Sequence, residues 1–227
     1  MSIYIIGDLH LGFAENKPMD IFGWGNHIEI IEKDWKEKVK EDDTVILAGD
    51  FSWATYLEDT KMDFEYINKL PGKKILLEGN HDYWWNTLSK MRTFIDENKF
   101  SNIDFLRNNG YLIEDKIIVG TRGWSFTESD NSEKMISREL IRFENSIQDG
   151  ISKQKNNEEI IAVFHYPPIA KGVSSPFLEM MKKYNINRCY YAHLHGKSHQ
   201  EAIQGEIEEI DFKLISSDYL GFKLVKI

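Results

Sequence analysis

An α/β layered fold is predicted by two features of the chain: short, continuously apolar runs, and charged stretches of helical spacing that alternate with them. In order, the apolar runs are SIYII (2–6), TVILA (44–48), KILLE (74–78), IIVG (117–120), IIAVF (160–164) and RCYYA (188–192). They lack the in-out alternation of a half-exposed strand, so cover on both faces is expected. Helices are expected at 27–40, 58–70, 132–150 and 175–187, where apolar residues recur at helical spacing among charges. The last segment, from His199 onward, predicts strands joined by tight turns at Gly205 and Gly221, an antiparallel or mixed end to the sheet system.

A chain of 227 residues with no internal repeat and no low-complexity linker is expected to form one domain, residues 1–227. Its 41% hydrophobic and 29% charged residues fit a soluble globular protein. The N-terminal apolar run, Ile3 to Ile6, is too short for a signal-peptide core, and nothing has the length of a membrane span, so a cytoplasmic location is expected. Cys189 is the only cysteine, which excludes an intrachain disulfide and a thiolate zinc cluster; among apolar and aromatic neighbours it reads as a core residue. The net charge of -9 argues against general nucleic-acid binding.

Five of the apolar runs end in groups able to ligate a metal: GDLH (Asp8, His10), GD (Asp50), GNHD (Asn80, His81, Asp82), HYPP (His165) and HLH (His193, His195). Each alone is an ordinary cap, turn or hydrogen-bonded residue. Strand ends of such a sheet converge in space, however, and Gly7, Gly49 and Gly79 permit close backbone approach. Carboxylates, an amide and neutral imidazoles together suit Mn, Fe, Zn, Co or Ni.

The ordered set DxH, GD, GNHD, H, HxH, running from Asp8 to His195, resembles the calcineurin-like metallophosphoesterase superfamily, and in particular its bacterial branch ending in GHxH. Here that motif reads AHLH, with Ala192 in place of glycine. The resemblance implies a four-layer α-β-β-α sandwich with two mixed β-sheets. It implies two cations, with Mn, Fe or Zn foremost: one held by Asp8, His10, Asp50 and His195, the other by Asp50, Asn80, His165 and His193. Asp50 would bridge them. A hydroxide held between the ions would attack phosphorus, and His81 would be the general acid, set against a purely structural role for that histidine. Asp82 is expected either to orient His81 or to cap the next helix.

The implied substrate is a small phosphomonoester or phosphodiester, nucleotide-like compounds included. Protein phosphatases of the superfamily carry an arginine soon after GD, whereas this chain has none between residues 1 and 91. Trp24, Trp53, Arg122 and Trp124 are candidate substrate contacts, the rings for stacking and Arg122 for a phosphate, with core packing as the alternative. Tyr83, Trp84 and Trp85 stand between the same two roles. His27 and His199 read as ordinary polar residues. The rival function is a non-catalytic metal-binding or scaffold protein on the same fold. A metal-free nucleotide-binding module is disfavoured, since the chain has neither GxGxxG nor GxxxxGKS.

Overall fold

A computed structural model describes residues 1–15, 17, 19–126, 132–172 and 175–227. The first half of the chain alternates strand and helix: β1 (Ile3–Ile6), α1 (His27–Lys38), β2 (Thr44–Ala48), α2 (Lys61–Asn68), β3 (Lys73–Leu77), α3 (Leu88–Glu97) and β4 (Ile103–Phe105). The second half continues with β5 (Tyr111–Ile113), β6 (Lys116–Thr121), α4 (Ser132–Ser152), β7 (Glu159–Phe164), α5 (Pro176–Lys183) and β8 (Arg188–Tyr191). It ends in β9 (Gly205–Ile207), β10 (Ile210–Leu214) and β11 (Val225–Lys226).

Two mixed sheets result. The first has the order β11-β1-β2-β3-β4, with β1 to β4 parallel and β11 antiparallel to β1. The second has the order β5-β6-β7-β8-β10-β9, parallel through its four central strands and antiparallel at both edges. Side chains alternate along each strand and so divide between two interfaces. In the first sheet Ile3, Ile5, Ile46, Ala48, Ile75 and Leu77 meet Ile118, Ile161, Val163 and Tyr190 of the second. Their neighbours Tyr4, Ile6, Val45, Leu47 and Leu76 pack on the other side against Trp35, Phe64 and Met91 of the first three helices. The outer face of the second sheet, with Val119, Phe164, Cys189 and Tyr191, is covered by Phe143 and Ile147 of α4 and Phe177 and Met181 of α5. The order of layers is therefore helix, sheet, sheet, helix, which explains the unbroken apolar runs: the central parallel strands β1, β2, β3, β6, β7 and β8 are covered on both faces.

Several elements differ from the sequence expectation. The hairpin of β9 and β10 turns at Glu208 and Glu209, whose φ values of 47° and 67° are both left-handed, while Gly205 opens β9. Gly221 does lie in a turn, with φ 60° and Phe222 beside it at 61°. The expected helix over 58–70 begins as a 3-10 turn, Leu57–Thr60, before α2. The strands β4 and β5 and the helix α3 had no counterpart among the expected elements.

One buried charge belongs to this layer packing. Lys74 on β3 is fully buried, its ammonium donating to the Leu70 carbonyl and lying 5.9 Å from the Trp35 ring centroid. Burial lowers its pKa to about 8. Below that value the lysine is charged in both folded and unfolded states and the folded state bears the desolvation cost; the cost fades as pH rises from about 8 towards the unfolded value of 10.5. Lys74→Met is therefore expected to stabilise the protein by roughly 1–2 kcal/mol at pH 7. In thermal melts the gain should shrink between about pH 8 and 10.

Candidate metal centre

The parallel strands deliver their carboxyl ends to one edge of the sandwich. Asp8 and His10 follow β1, Asp50 follows β2, Asn80 and His81 follow β3, His165 follows β7, and His193 and His195 follow β8. Asp8, His10, Asp50 and His193 all hold left-handed backbone conformations, with φ of 58°, 47°, 51° and 74°. Such φ values are uncommon for residues with a Cβ and concentrate at functional sites. A net of backbone bonds holds them: Asp8 N–H donates to Gly49 O (3.0 Å) and His10 N–H to Asp50 O (2.9 Å). His193 N–H donates to Asp8 Oδ2 (3.1 Å), and Ser217 Oγ donates to Asp8 O (2.7 Å).

Two glycines make the approach possible. A Cβ on Gly79 would overlap the Asp50 amide and carboxylate, and one on Gly49, at φ 89°, would lie 2.6 Å from His165 Nδ1. Ala192 fits for a related reason. Its methyl occupies the space beside Gly7, where a second Cβ would collide with it.

The candidate ligating atoms form two groups that have Asp8 in common. Asp8, His10 and His195 offer atoms within 4.8 Å of one another, as do Asp8, Asp50 and His165. Asp50 Oδ2 lies 3.6 Å from His10 Nε2, while its Oδ1 lies 3.5 Å from His165 Nε2, so one carboxylate faces both groups. Asn80 Oδ1 completes the second group at 2.7 Å from His165 Nε2 and 2.8 Å from His193 Nδ1.

The donor set fits cations. Asp8 Oδ1 and His195 Nε2 are 3.4 Å apart, and both are buried without a hydrogen-bond partner. Orphaned buried polar atoms are costly, and a shared cation satisfies them. His165 Nδ1 lies 3.0 Å from the Ala48 carbonyl. Donation there leaves a lone pair on Nε2 facing the Asn80 and Asp50 oxygens, an arrangement that a positive ion relieves.

Electrostatics agree. Burial, then the charge of Asp8, pushes the Asp50 carboxyl well above the carboxylate range. Burial lowers the His10 and His193 imidazoles to about 3 and lowers His165 as well, so these rings are neutral, as ligation requires. Burial alone would also lower His195, but Asp8 and Asp218 override it and raise its pKa to about 10. Burial would raise Asp8, yet His195, His165 and His10 hold it below the usual range. A proton on His195 thus balances the charge that a cation would balance.

Other expected residues are placed as follows. The His81 ring is half-buried, 5.6 Å from the His10 ring and 4.6 Å from that of Trp53. Burial, then His165, lowers its pKa. Asp82 neither caps a helix nor turns towards the His81 ring. Its carboxylate accepts from Phe51 N–H, Ser52 N–H, Gly79 N–H and the Trp84 indole, at 2.8–3.2 Å, and braces the loop after β3 against the loop after β2. The cap of α3 is Thr87. Trp84 is buried edge-on to Phe64 (5.4 Å), and Trp85 packs on Phe105 (5.5 Å), so both belong to the core; Tyr83 is 68% exposed.

Trp24 and Trp53 stand against the centre. Trp53 stacks on His10 at 4.6 Å, and Trp24 meets His195 edge-on at 5.2 Å. Arg122 is committed elsewhere: its guanidinium pairs with Glu78 (3.0 Å) and covers the Trp124 ring at 4.9 Å. With Glu78 as its counter-ion, it is not a free phosphate clamp. Trp124 in turn lies 5.8 Å from Tyr166, whose ring is 4.2 Å from that of His193.

Asp218 was not foreseen. It accepts from Gly196 N–H (3.0 Å), and its Oδ1 lies 2.9 Å from His195 Nδ1, which orients that ring with Nε2 towards Asp8. His199 Nε2 is 3.2 Å from the same carboxylate, so this histidine is part of the same cluster. No spacing rule marked Asp218, because it follows β10 and lies 23 positions beyond its partner. Asp218→Asn is expected to weaken cation binding about 10- to 100-fold. Calorimetric titration with Mn(II) checks this; unchanged affinity would reduce Asp218 to a loop brace.

A family model described as calcineurin-like phosphoesterase matches residues 1–197. No curated protein matches the chain by sequence. Among solved structures, a protein of unknown function from Aquifex aeolicus is similar at 17% identity with a TM-score of 0.52, over 99% of this chain and 95% of that one. Phosphopantetheinyl hydrolase from Mycobacterium tuberculosis is similar at 14% identity with a TM-score of 0.58, over 100% and 95%. A Thermus thermophilus protein is similar at 12% identity with a TM-score of 0.54, over 99% and 97%. At these identities the likeness is one of fold.

Proposed function

Since the chain belongs to the calcineurin-like phosphoesterase family, we propose that it is a metal-dependent hydrolase of small phosphorylated compounds, with His81 as the acid for the departing alcohol. The observation that carries this reading is the sharing of Asp50, whose two oxygens face His10 on one side and His165 on the other. Asp8, His10, Asp50 and His195 would hold one cation, and Asp50, Asn80, His165 and His193 the second. Bound there, two such ions supply positive charge for phosphate oxygens and lower the pKa of water towards neutrality.

The chain's own residues supply the rest. The Ala48 carbonyl and Asp218 fix the orientations of His165 and His195. Asp82 fixes the position of the loop that carries His81. His81 would give the leaving oxygen its proton; because burial and His165 lower its pKa, the protonated ring is the minor form at neutral pH and the acid step is favoured as pH falls. Among the described residues no helix is long and apolar enough to cross a membrane. The acidic balance of the chain favours small phosphorylated substrates over nucleic acid.

The test is hydrolysis of p-nitrophenyl phosphate and bis(p-nitrophenyl) phosphate by protein loaded with Mn(II), Fe(II) or Zn(II). Turnover of at least one ester is expected, and turnover of neither by protein shown to hold metal would overturn the proposal.

A further inference from the structure

Two of the clefts that border the centre differ in character. One, of about 510 Å³, has Met19, Phe22, Trp24 and Trp53 as its walls and His10, His81 and His195 at its base. The other, of about 500 Å³, lies on the His193 side and mixes Tyr166, Phe126 and Ile169 with Ser125, Lys171 and Glu201. His81 borders the aromatic cleft and not the mixed one. A general acid must reach the oxygen of the group that departs. The departing group and the aromatic walls therefore share one cleft.

We infer that this cleft is the leaving-group subsite, and that it selects phosphate esters whose alcohol carries a flat aromatic group. The inference rests on the hydrolytic reading above and adds the substrate class.

Three observations support it. First, Phe22 is 61% exposed on the 3-10 turn Met19–Phe22, a large apolar ring at the edge of the cleft with a face left to solvent. A flat group entering the cleft covers that face, and offset or edge-on aromatic contacts add to the apolar burial. Second, the other walls are already positioned. Trp53 is stacked on His10, and its indole Nε1 lies 3.3 Å from Met19 Sδ; Trp24 is wedged between His10, His195 and Phe222. Rigid rings bind without much ordering cost. Third, the walls named here carry no charged side chain of their own; besides the centre and Asp218, the charge beside them is Lys17, whose ammonium lies 5.6 Å from the Trp53 ring centroid. A compact, strongly hydrated alcohol gains nothing from such walls, whereas an aromatic one does.

The experiment compares benzyl phosphate with ethyl phosphate, esters of alcohols of similar acidity that place the same demand on His81. For the metal-loaded protein, kcat/KM is expected to favour the benzyl ester at least tenfold. Phe22→Ala should cut that ratio several-fold, and Phe22→Leu should restore part of it. Phe22 touches no ligand residue among the ring contacts of the centre, so the ratio reports the cleft and not the metals. Benzylphosphonate and ethylphosphonate, which are not hydrolysed, give a second reading through calorimetric titration. Tighter binding of the benzyl compound, lost in Phe22→Ala, supports the subsite even if neither ester turns over, an outcome that would count against the hydrolytic reading alone. Equal affinity for the two phosphonates, or equal kcat/KM for the two esters, would overturn the subsite assignment.

Discussion

Asp50→Ala is expected to lose both cations and to reduce turnover by at least ~1,000-fold, the largest effect of any single substitution at the centre. The reason is geometric. Each Asp50 oxygen faces a different ligand group, at 3.6 Å from His10 Nε2 and 3.5 Å from His165 Nε2, so the residue cannot be removed from one site alone. Asp8→Ala is the informative comparison, because its orphaned Oδ1 points to His195 and its loss should empty the His10 side first. Metal content measured by mass spectrometry beside kcat/KM separates the two variants. The metal-free protein adds a check with the opposite sign. The Asp50 carboxyl is raised by burial and by Asp8, so the folded state keeps a proton that the unfolded state releases in the ordinary carboxylate range. The Asp50 contribution to the stability of the metal-free protein should therefore fall as pH rises from that range towards neutrality, against the rising contribution of His10, His165 and His193, whose pKa values are lowered. Asp50→Asn should lack this component and melt at a higher temperature near pH 7.

His81→Ala is expected to lower kcat for ethyl phosphate by about 100- to 10,000-fold while leaving metal content unchanged. Its ring borders the cleft beside His10 and Trp53 but belongs to neither ligand group. Leaving-group acidity gives the discriminating readout. p-Nitrophenolate departs without a proton, so p-nitrophenyl phosphate should lose far less than ethyl phosphate in the same variant. Equal losses for the two esters, or a loss of bound metal, would assign His81 a structural role instead.

The layered fold was legible because each strand of the parallel cores is covered on both faces and therefore reads as an unbroken apolar run. The strands that were not legible, Ile103–Phe105 and Tyr111–Ile113, have three residues each, too few for any period to emerge. The Glu208–Glu209 turn escaped for a different reason: two non-glycine residues take left-handed φ values where the nearby Gly205 looked the better candidate. At the centre, Asp8, His10, Asp50, Asn80, His165, His193 and His195 stood out as polar groups ending apolar strands. What lay beyond local pattern was pairing across the fold. Asp218 reaches His195 from another strand, Glu78 engages Arg122 from 44 positions away, and Asp82 spends its oxygens on the backbone of the neighbouring loop. The aromatic residues divided for the same reason. Trp84 and Trp85 face the helices, whereas Trp24 and Trp53 face His10.

The central claim, two cations bridged by Asp50 and required for ester hydrolysis, is tested most directly by titrating metal-free protein with Mn(II) while following both binding and hydrolysis of p-nitrophenyl phosphate. Activity should rise with added metal, reach its plateau near two equivalents per chain, and vanish again with chelator. Hydrolysis at full rate in chelator, or binding that saturates at two equivalents without any turnover of phosphate esters, would contradict it.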